Sequence, residues 1–472
     1  MTMTIDRFTS MRPEDYGLPG EADLRARLAE YFPEFGAART TIRGPAVVAG
    51  NMSKFNIPRA ITPATREGDF PVDKIRADFP ALSETVNGRP LIWLDNAATT
   101  QRPRRVIERI TYFYEHENSN IHRGAHTLAA RATDAYEGAR GIVAGFIGAP
   151  SADNIVFVRG TTEGLNLIAQ SYVKPLLRPG DEIVLTILEH HANIVPWQLI
   201  AEETDAVLRI APVDETGRII LPAYGALFGP RTKFASITQV SNVLGAVTPA
   251  AEMIAIAHGF GVPVCVDGAQ SVSRMAIDVS AMDADFFVFS GHKIFGPTGI
   301  GAVYGKSDLL EQARPYQGGG NMIADVTFER TVYHCAPQKF EAGTGNIAGA
   351  AGLGAAIDYV SAIGMGNIEA YEQALLSYGI NELSKIPGLL MIGAADHKAG
   401  VLSFVLENRG VEETGQYLSE AGVAVRAGHH CAQPVLRRFG LEATVRASLA
   451  FYNTFAELDF LAERIETFAR RR

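Results

Sequence analysis

The 472-residue sequence predicts an α/β protein with a mostly parallel sheet covered by helices on both faces, plus a smaller α+β part at the C-terminus. Two observations carry this. Apolar runs of strand length recur at 154–158, 182–186, 234–238, 262–266 and 285–289, separated by helical segments. A run without polar alternation is a strand buried on both faces, the mark of a parallel sheet between helix layers. Polar and glycine-bearing turns also gather after the carboxyl ends of these runs, where open α/β sheets bind ligands.

The bulk numbers narrow the function. Hydrophobic content of 47% and charged content of 20% describe a largely globular chain with a sizeable core. Net charge is -9 and no basic block occurs, which argues against nucleic acid as the main partner. Three scattered cysteines, Cys265, Cys335 and Cys431, suit neither a disulfide framework nor a metal cluster and fit a reducing, cytoplasmic setting. The start lacks an apolar signal region, and no apolar run approaches the roughly 18 residues of a membrane span.

In chain order, residues 1–69 read as an extension. Leu24, Leu28, Tyr31 and Phe32 fall at helical spacing, Pro33 ends that helix, and 36–66 have linker composition. One short amphipathic helix cannot bury its own stripe. It requires a separate partner surface or a seat on its own catalytic domain. Residues 70–350 read as the large domain, with 70–90 packing against a small domain at 351–472. A short helix spans 72–79, a strand 91–95 and a helix 137–147, and a helix follows the turn at 159–164. The C-terminal part opens with Ala/Gly-rich helix from 348, has strands at 401–406, 423–426 and 447–450, and closes with an amphipathic helix from 455. No internal repeat occurs.

The chemistry centres on Lys293, which follows the buried run 285–289 in Ser290-Gly291-His292-Lys293. Desolvation lowers an amine's pKa and makes it a nucleophile for a carbonyl. The strand before it ends in Asp267-Gly268-Ala269-Gln270. A lysine and an acid on adjacent strand ends meet the needs of pyridoxal 5'-phosphate (PLP): the amine holds the aldehyde, and the carboxylate keeps the pyridine nitrogen protonated. Ser290 and His292 are candidate phosphate donors. Arg159-Gly160-Thr161-Thr162-Glu163 precedes a helix, whose free N–H groups suit the same phosphate. By itself that pattern is an ordinary helix cap. His190 follows another strand and reads as a ring-stacking imidazole or a capping histidine, while His191 reads as structural.

Cys431 lies in the loop Arg426-Ala427-Gly428-His429-His430-Cys431-Ala432-Gln433-Pro434. An exposed loop thiol beside Arg426, His429 and His430 is placed for a raised thiolate fraction. Cys265, in Val-Cys-Val on a buried strand, is packing, and Cys335 carries no pattern. Arg446, at the start of the 447–450 strand, suits a bidentate clamp on a carboxylate or a surface ion pair.

With these residues, the chain from about Phe70 onward resembles the group II cysteine desulfurases, in the class V aminotransferase family of fold-type I PLP enzymes. The motifs are Leu94-Asp95-Asn96-Ala97-Ala98, Asn120-Ile121-His122-Arg123-Gly124, Glu189-His190-His191-Ala192-Asn193, Val266-Asp267-Gly268-Ala269-Gln270, Ser290-Gly291-His292-Lys293, Phe340-Glu341-Ala342-Gly343-Thr344 and the Cys431 loop, whose short form is that of group II. The resemblance implies a seven-stranded sheet and a homodimer. It implies Lys293 as the cofactor-bearing lysine and proton shuttle, Asp267 at the pyridine nitrogen, Gln270 at the ring oxygen and His190 stacked on the ring. Thr161, Thr162, Ser290 and His292 would hold the phosphate, joined by Thr344 from the neighbouring subunit. Asn242, Arg446, His122, Ala98 and Arg426 would form the substrate pocket, and Cys431 would accept sulfur from L-cysteine as a persulfide for transfer to an acceptor. Alternatives are selenocysteine lyase acting on L-selenocysteine, or a shell-bound sulfur-storage component. Residues 1–69 have no counterpart in an ordinary enzyme of this kind and are similar to extensions that address cysteine desulfurases to encapsulin shells.

Overall fold

The computed structural model describes residues 70–471, Arg123 excepted. The extension, including the helix expected at 21–32, lies outside the described residues.

Seven strands form the central sheet: β1 (Ile155–Val158), β2 (Glu182–Thr186), β3 (Val207–Ala211), β4 (Thr232–Thr238), β5 (Val264–Asp267), β6 (Phe286–Ser290) and β7 (Gly301–Gly305), in the order β1-β7-β6-β5-β4-β2-β3. From β6 to β3 all neighbours are parallel, while β7 runs antiparallel to both β1 and β6. The apolar runs are buried on both faces, as their lack of alternation requires: every residue of β1, β2, β5 and β6 is buried. Edge strand β3 is half-exposed, so its sequence carries a weaker signal. Ile237 pairs with Val266 and Val266 with Phe287, which fixes the register and brings the ends of β4, β5 and β6 level.

Helices α1 (Arg104–His116), α2 (Thr127–Phe146) and α4 (Ile347–Ile363) pack together on one face of the molecule, and α3 (Thr161–Ile168) follows β1 directly. The Ala/Gly run of α4 is almost wholly buried, which is why it is apolar all round. A bent break at Gly364 leads into α5 (Met365–Leu383). No single helix among the described residues is long and apolar enough to cross a membrane.

A second, antiparallel sheet has strands β8 (Leu389–Ile392), β9 (Val401–Leu406), β10 (Arg426–Gly428) and β11 (Thr444–Ser448), in the order β8-β9-β11-β10. The strand expected at 423–426 is two pieces. Val423–Ala424 pairs with Ile92–Trp93, whereas Arg426 pairs with Arg446. The break turns Arg426 and the following loop toward the central sheet's strand ends. Arg446 lies in the middle of β11 and not at a strand start, because Thr444 and Val445 already pair with Gly428 and Ala427. The first helix ends at Arg76, before the expected 79. Phe79 instead turns inward and packs on Phe295, Phe451 and Tyr452. The final helix, α6 (Phe455–Arg470), starts with a Thr454–Glu457 capping box.

Candidate active site

A cavity of about 260 Å³ opens at the carboxyl ends of β1, β2, β4, β5 and β6. It is lined by Ala98, Thr161, Thr162, His190, Asn242, Asp267, Gln270, Ser290, His292, Lys293, Arg426 and Arg446, twelve positions expected from sequence. Level strand ends explain the convergence of residues more than 100 positions apart in sequence.

Lys293 sits in a one-turn helix after β6, partly accessible through the cavity. Burial pulls its amine down from the usual 10.5 to about 8, against the pull of Asp267, and the Cys431 thiol also bears on it. Asp267 ends β5, with its Oδ1 accepting from the Ala269 amide at 2.9 Å. Burial raises its carboxyl pKa, while that bond and Lys293 oppose the rise. The turn after it depends on Gly268, where a Cβ would lie 2.0 Å from the Phe287 ring.

The phosphate end is built from β1, α3 and β6. The first residue of α3, Thr161, donates its amide to Ser290 Oγ at 2.8 Å, and the two hydroxyls lie 2.9 Å apart. The helix has no side-chain cap, so beyond the Thr161 amide already on Ser290 the N–H groups of its first turn are available to an anion. His292 contacts Thr99 Oγ1 at 3.2 Å and is held neutral, with burial and then Lys293 lowering its pKa to about 4. His190 is likewise neutral. Burial, then Lys293, brings it to about 3, and its Nδ1 accepts from the Ala192 amide. A neutral flat imidazole beside the amine suits stacking on an aromatic ring. Gln270 donates to the Ala97 carbonyl at 2.7 Å.

At the opposite end, Arg446 donates to Asn242 O at 2.9 Å and to Asp95 Oδ1 at 3.2 Å, and its buried Nε has no protein partner. Arg426 binds the other Asp95 oxygen through Nη2 at 3.0 Å and Nε at 3.2 Å. Asp95 therefore bridges two arginines. Asn242 donates to His430 O at 2.7 Å, and its buried Oδ1 is unpartnered. Unsatisfied donor and acceptor groups in one cavity wall suit a small zwitterion.

The Cys431 loop is pinned to this wall. His191 donates its amide to Cys431 O at 2.8 Å, and His430 Nε2 lies 2.9 Å from both Thr444 O and Thr444 Oγ1. His430 and Cys431 both have left-handed backbone, φ 52° and 56°, uncommon away from glycine. Two expectations need correction. Cys431 is half-buried and not exposed. His430 is not a cation beside it, because burial, with Arg446 next, drives its pKa to about 3. Arg426 remains the fixed positive charge of the loop. Cys265 is buried, and its thiol is raised far above the usual range, in keeping with a packing role.

Three expected residues are not among those that line the cavity: Cys431, whose loop is tied to the wall, His122 and Thr344. His122 contacts Glu137 at 2.8 Å, and Glu137 in turn holds Arg140, so His122 joins a polar cluster under α2. Thr344 is exposed and does not reach this chain's own cavity. Two residues quoted only as motif letters carry structural weight. One is Asp95. The other is Glu189, wholly buried, whose oxygens accept from Thr186 Oγ1 at 2.6 Å, Asn193 Nδ2 at 2.5 Å and the Thr238 amide at 3.0 Å. Burial lifts its carboxyl to about 8. It ties the ends of β2 and β4 beneath His190.

An amine near neutrality, a buried carboxylate on the adjacent strand, a neutral imidazole and an uncapped helix start with hydroxyls fit PLP on their own chemistry. The aminotransferase class-V family matches residues 92–461, and the chain belongs to that family. It is 57% identical over 458 residues to a cysteine desulfurase of Synechococcus elongatus, covering 96% of this chain and 73% of that protein. It is 60% identical over 400 residues to a probable cysteine desulfurase of Mycolicibacterium paratuberculosis, spanning only 58% of that protein. A solved cysteine desulfurase from Escherichia coli, in an S-sulfonic acid form, superposes with TM-score 0.79 at 39% identity, covering 84% of this chain and 98% of the other. Within the family, the chain is an enzyme of the cysteine desulfurase group, with PLP as cofactor. The Synechococcus match is too long to fit in residues 70–472, so it takes in much of the extension, which does have a counterpart in a relative.

Proposed function

We propose that the enzyme removes sulfur from L-cysteine, leaving L-alanine and a persulfide on Cys431. The observation that carries this reading is one cavity that joins Lys293, Asp267, His190 and Arg446, with the Cys431 loop tied to its wall through Asn242 and His191. Lys293 would hold the cofactor aldehyde, Asp267 would serve the ring nitrogen and His190 the ring face, and Thr161, Thr162, Ser290 and His292 would receive the phosphate. Bound PLP supplies an electron-accepting ring that stabilises negative charge on the substrate carbon. Arg446 takes the substrate carboxylate through its unused donor capacity, with Asn242 beside it. Lys293 Nζ would take the Cα proton. Cys431 Sγ attacks the substrate sulfur. One S–S bond forms, the Cβ–S bond breaks, and the electron pair stays with the carbon fragment, which is protonated to alanine. An acceptor thiol then takes the terminal sulfur.

The working unit is a homodimer in this reading. Support comes from the hairpin Ile323–Val326 and Thr331–Tyr333, which presents Val326, Phe328, Val332 and Tyr333 to solvent, with Phe328 fully exposed. Thr344 would meet the partner's phosphate site. Residues 70–350 and 351–472 would act as large and small domains, and the extension would address a shell.

Lys293→Ala is expected to lose the cofactor's visible absorbance band and all turnover. Cys431→Ala is expected to keep the band and lose alanine formation from L-cysteine. Full cysteine turnover by the Cys431 variant contradicts the reading. Turnover retained only with L-selenocysteine would locate the thiol's role in sulfur removal.

A further inference from the structure

His191, His429 and Cys431 place one imidazole nitrogen each and the thiol sulfur within 4.8 Å of one another. We propose that these three side chains form a binding site for a thiophilic divalent cation, Zn²⁺ or Cd²⁺, that caps the sulfur-accepting thiol. The masking part of this rests on the proposed function; the metal site itself does not.

The donor set is that of a zinc site. Zinc takes cysteine sulfur at about 2.3 Å and histidine nitrogen at about 2.0–2.1 Å, so neighbouring donors in a tetrahedral site lie about 3.3–3.7 Å apart. The three atoms therefore need to close by about 1.5 Å at most, within reach of small side-chain rotations of Cys431 and the exposed His429. The imidazoles are already aligned. The rings of His191 and His429 lie 5.7 Å apart at 27°. His429 Nδ1 accepts from the Cys431 amide at 3.0 Å, and His191 Nε2 receives a long contact from the Gln433 amide at 3.4 Å. Both lone pairs thus face the loop that carries the thiol, and a cation would exchange two modest N–H contacts for coordination bonds. His429 is exposed and Cys431 half-buried, so a cation has an approach, and a fourth position stays open to water or a second thiolate.

These residues come from two distant segments. The backbone bond from His191 to Cys431 O holds them together, and the left-handed backbone at His430 and Cys431 turns the thiol back toward the rings. The binding step is balanced without any redox partner: Cys431 loses one proton to solvent, both imidazoles bind neutral, and the cation gains three ligands.

The test is a titration of the full-length holoenzyme with Cd²⁺ in thiol-free buffer, following the ultraviolet thiolate-to-cadmium band. The expected result is one equivalent bound, with the band lost in Cys431→Ser, binding weakened at least tenfold in His191→Ala and His429→Gln, and no change in Cys335→Ser, which removes the other accessible thiol. Unchanged affinity in both histidine variants, or a band that follows Cys335, overturns the proposal. A parallel arm follows alanine formation with added Zn²⁺: inhibition should be reversed by a chelator and relieved tenfold in His429→Gln. Inhibition of equal potency in that variant also overturns it. The band with no loss of turnover would sustain the site and contradict instead the role of Cys431 as sulfur acceptor.

Discussion

Replacing Asp95 by Asn tests the electrostatics of the substrate end. Its two oxygens serve Arg446 and Arg426, at 3.2 Å and 3.0 Å. Arg446 is 2% exposed, and without Asp95 it keeps one carbonyl partner, Asn242 O, while its Nε is already unpartnered. Removing one member of a buried ion pair strands the other, at a cost of about 3–5 kcal/mol. The Arg426 side chain is 47% exposed, so its half of the bridge adds about 1 kcal/mol at most. Burial lowers the Arg446 pKa to about 10 and Asp95 opposes the fall. Even without Asp95 the guanidinium stays charged at pH 7, and the penalty is not escaped by deprotonation. Urea denaturation of the holoenzyme should show a loss of about 3–5 kcal/mol in Asp95→Asn. L-alanine, whose carboxylate can supply at Arg446 the negative charge that the variant lacks, should restore more stability to the variant than it adds to the parent. A loss under about 1 kcal/mol, or equal gains from L-alanine, would refute the reasoning.

Two further outcomes follow from the titrating groups. The free Lys293 amine has its pKa lowered to about 8, so cofactor-free enzyme should take up PLP about tenfold faster per pH unit below that value and level off above it. Asp267→Asn removes a charge that holds this pKa up, and should move the inflection to lower pH; a parent rate still climbing toward pH 10 would refute the assignment. For Glu189, burial raises the folded pKa from 4.5 to about 8. Its contribution to stability is therefore present below about pH 4.5 and lost as pH rises to about 8. Glu189→Gln should lack that loss, so its stability relative to the parent should improve by a few kcal/mol between pH 5 and 8, measured by denaturation at each pH. Parallel profiles would contradict it.

The strand ends were legible because their signal is local: a buried run has no polar alternation, and the chemistry sits in the turn that follows. Asp267 and Ser290 close such strands, and Thr161 and Lys293 follow one by three residues. What depended on tertiary neighbours was not legible. Edge strand β3 and glycine-flanked β7 lack the apolar density of the inner strands. His430 looks like a cation in sequence, yet burial, with Arg446 next, makes it neutral. Asp95 is one acidic letter in its motif, and only the meeting of β10 with β11 gives it two arginines. His122, implied for the substrate pocket, is drawn off by Glu137 from the neighbouring helix.

The most direct measurement is mass spectrometry of the peptide bearing Cys431 after brief exposure of the holoenzyme to L-cysteine without reductant. The account predicts one added sulfur on Cys431, none on Cys335 or Cys265, and none anywhere in Lys293→Ala. Added sulfur on another cysteine with Cys431 unmodified, while alanine is still released, would contradict it.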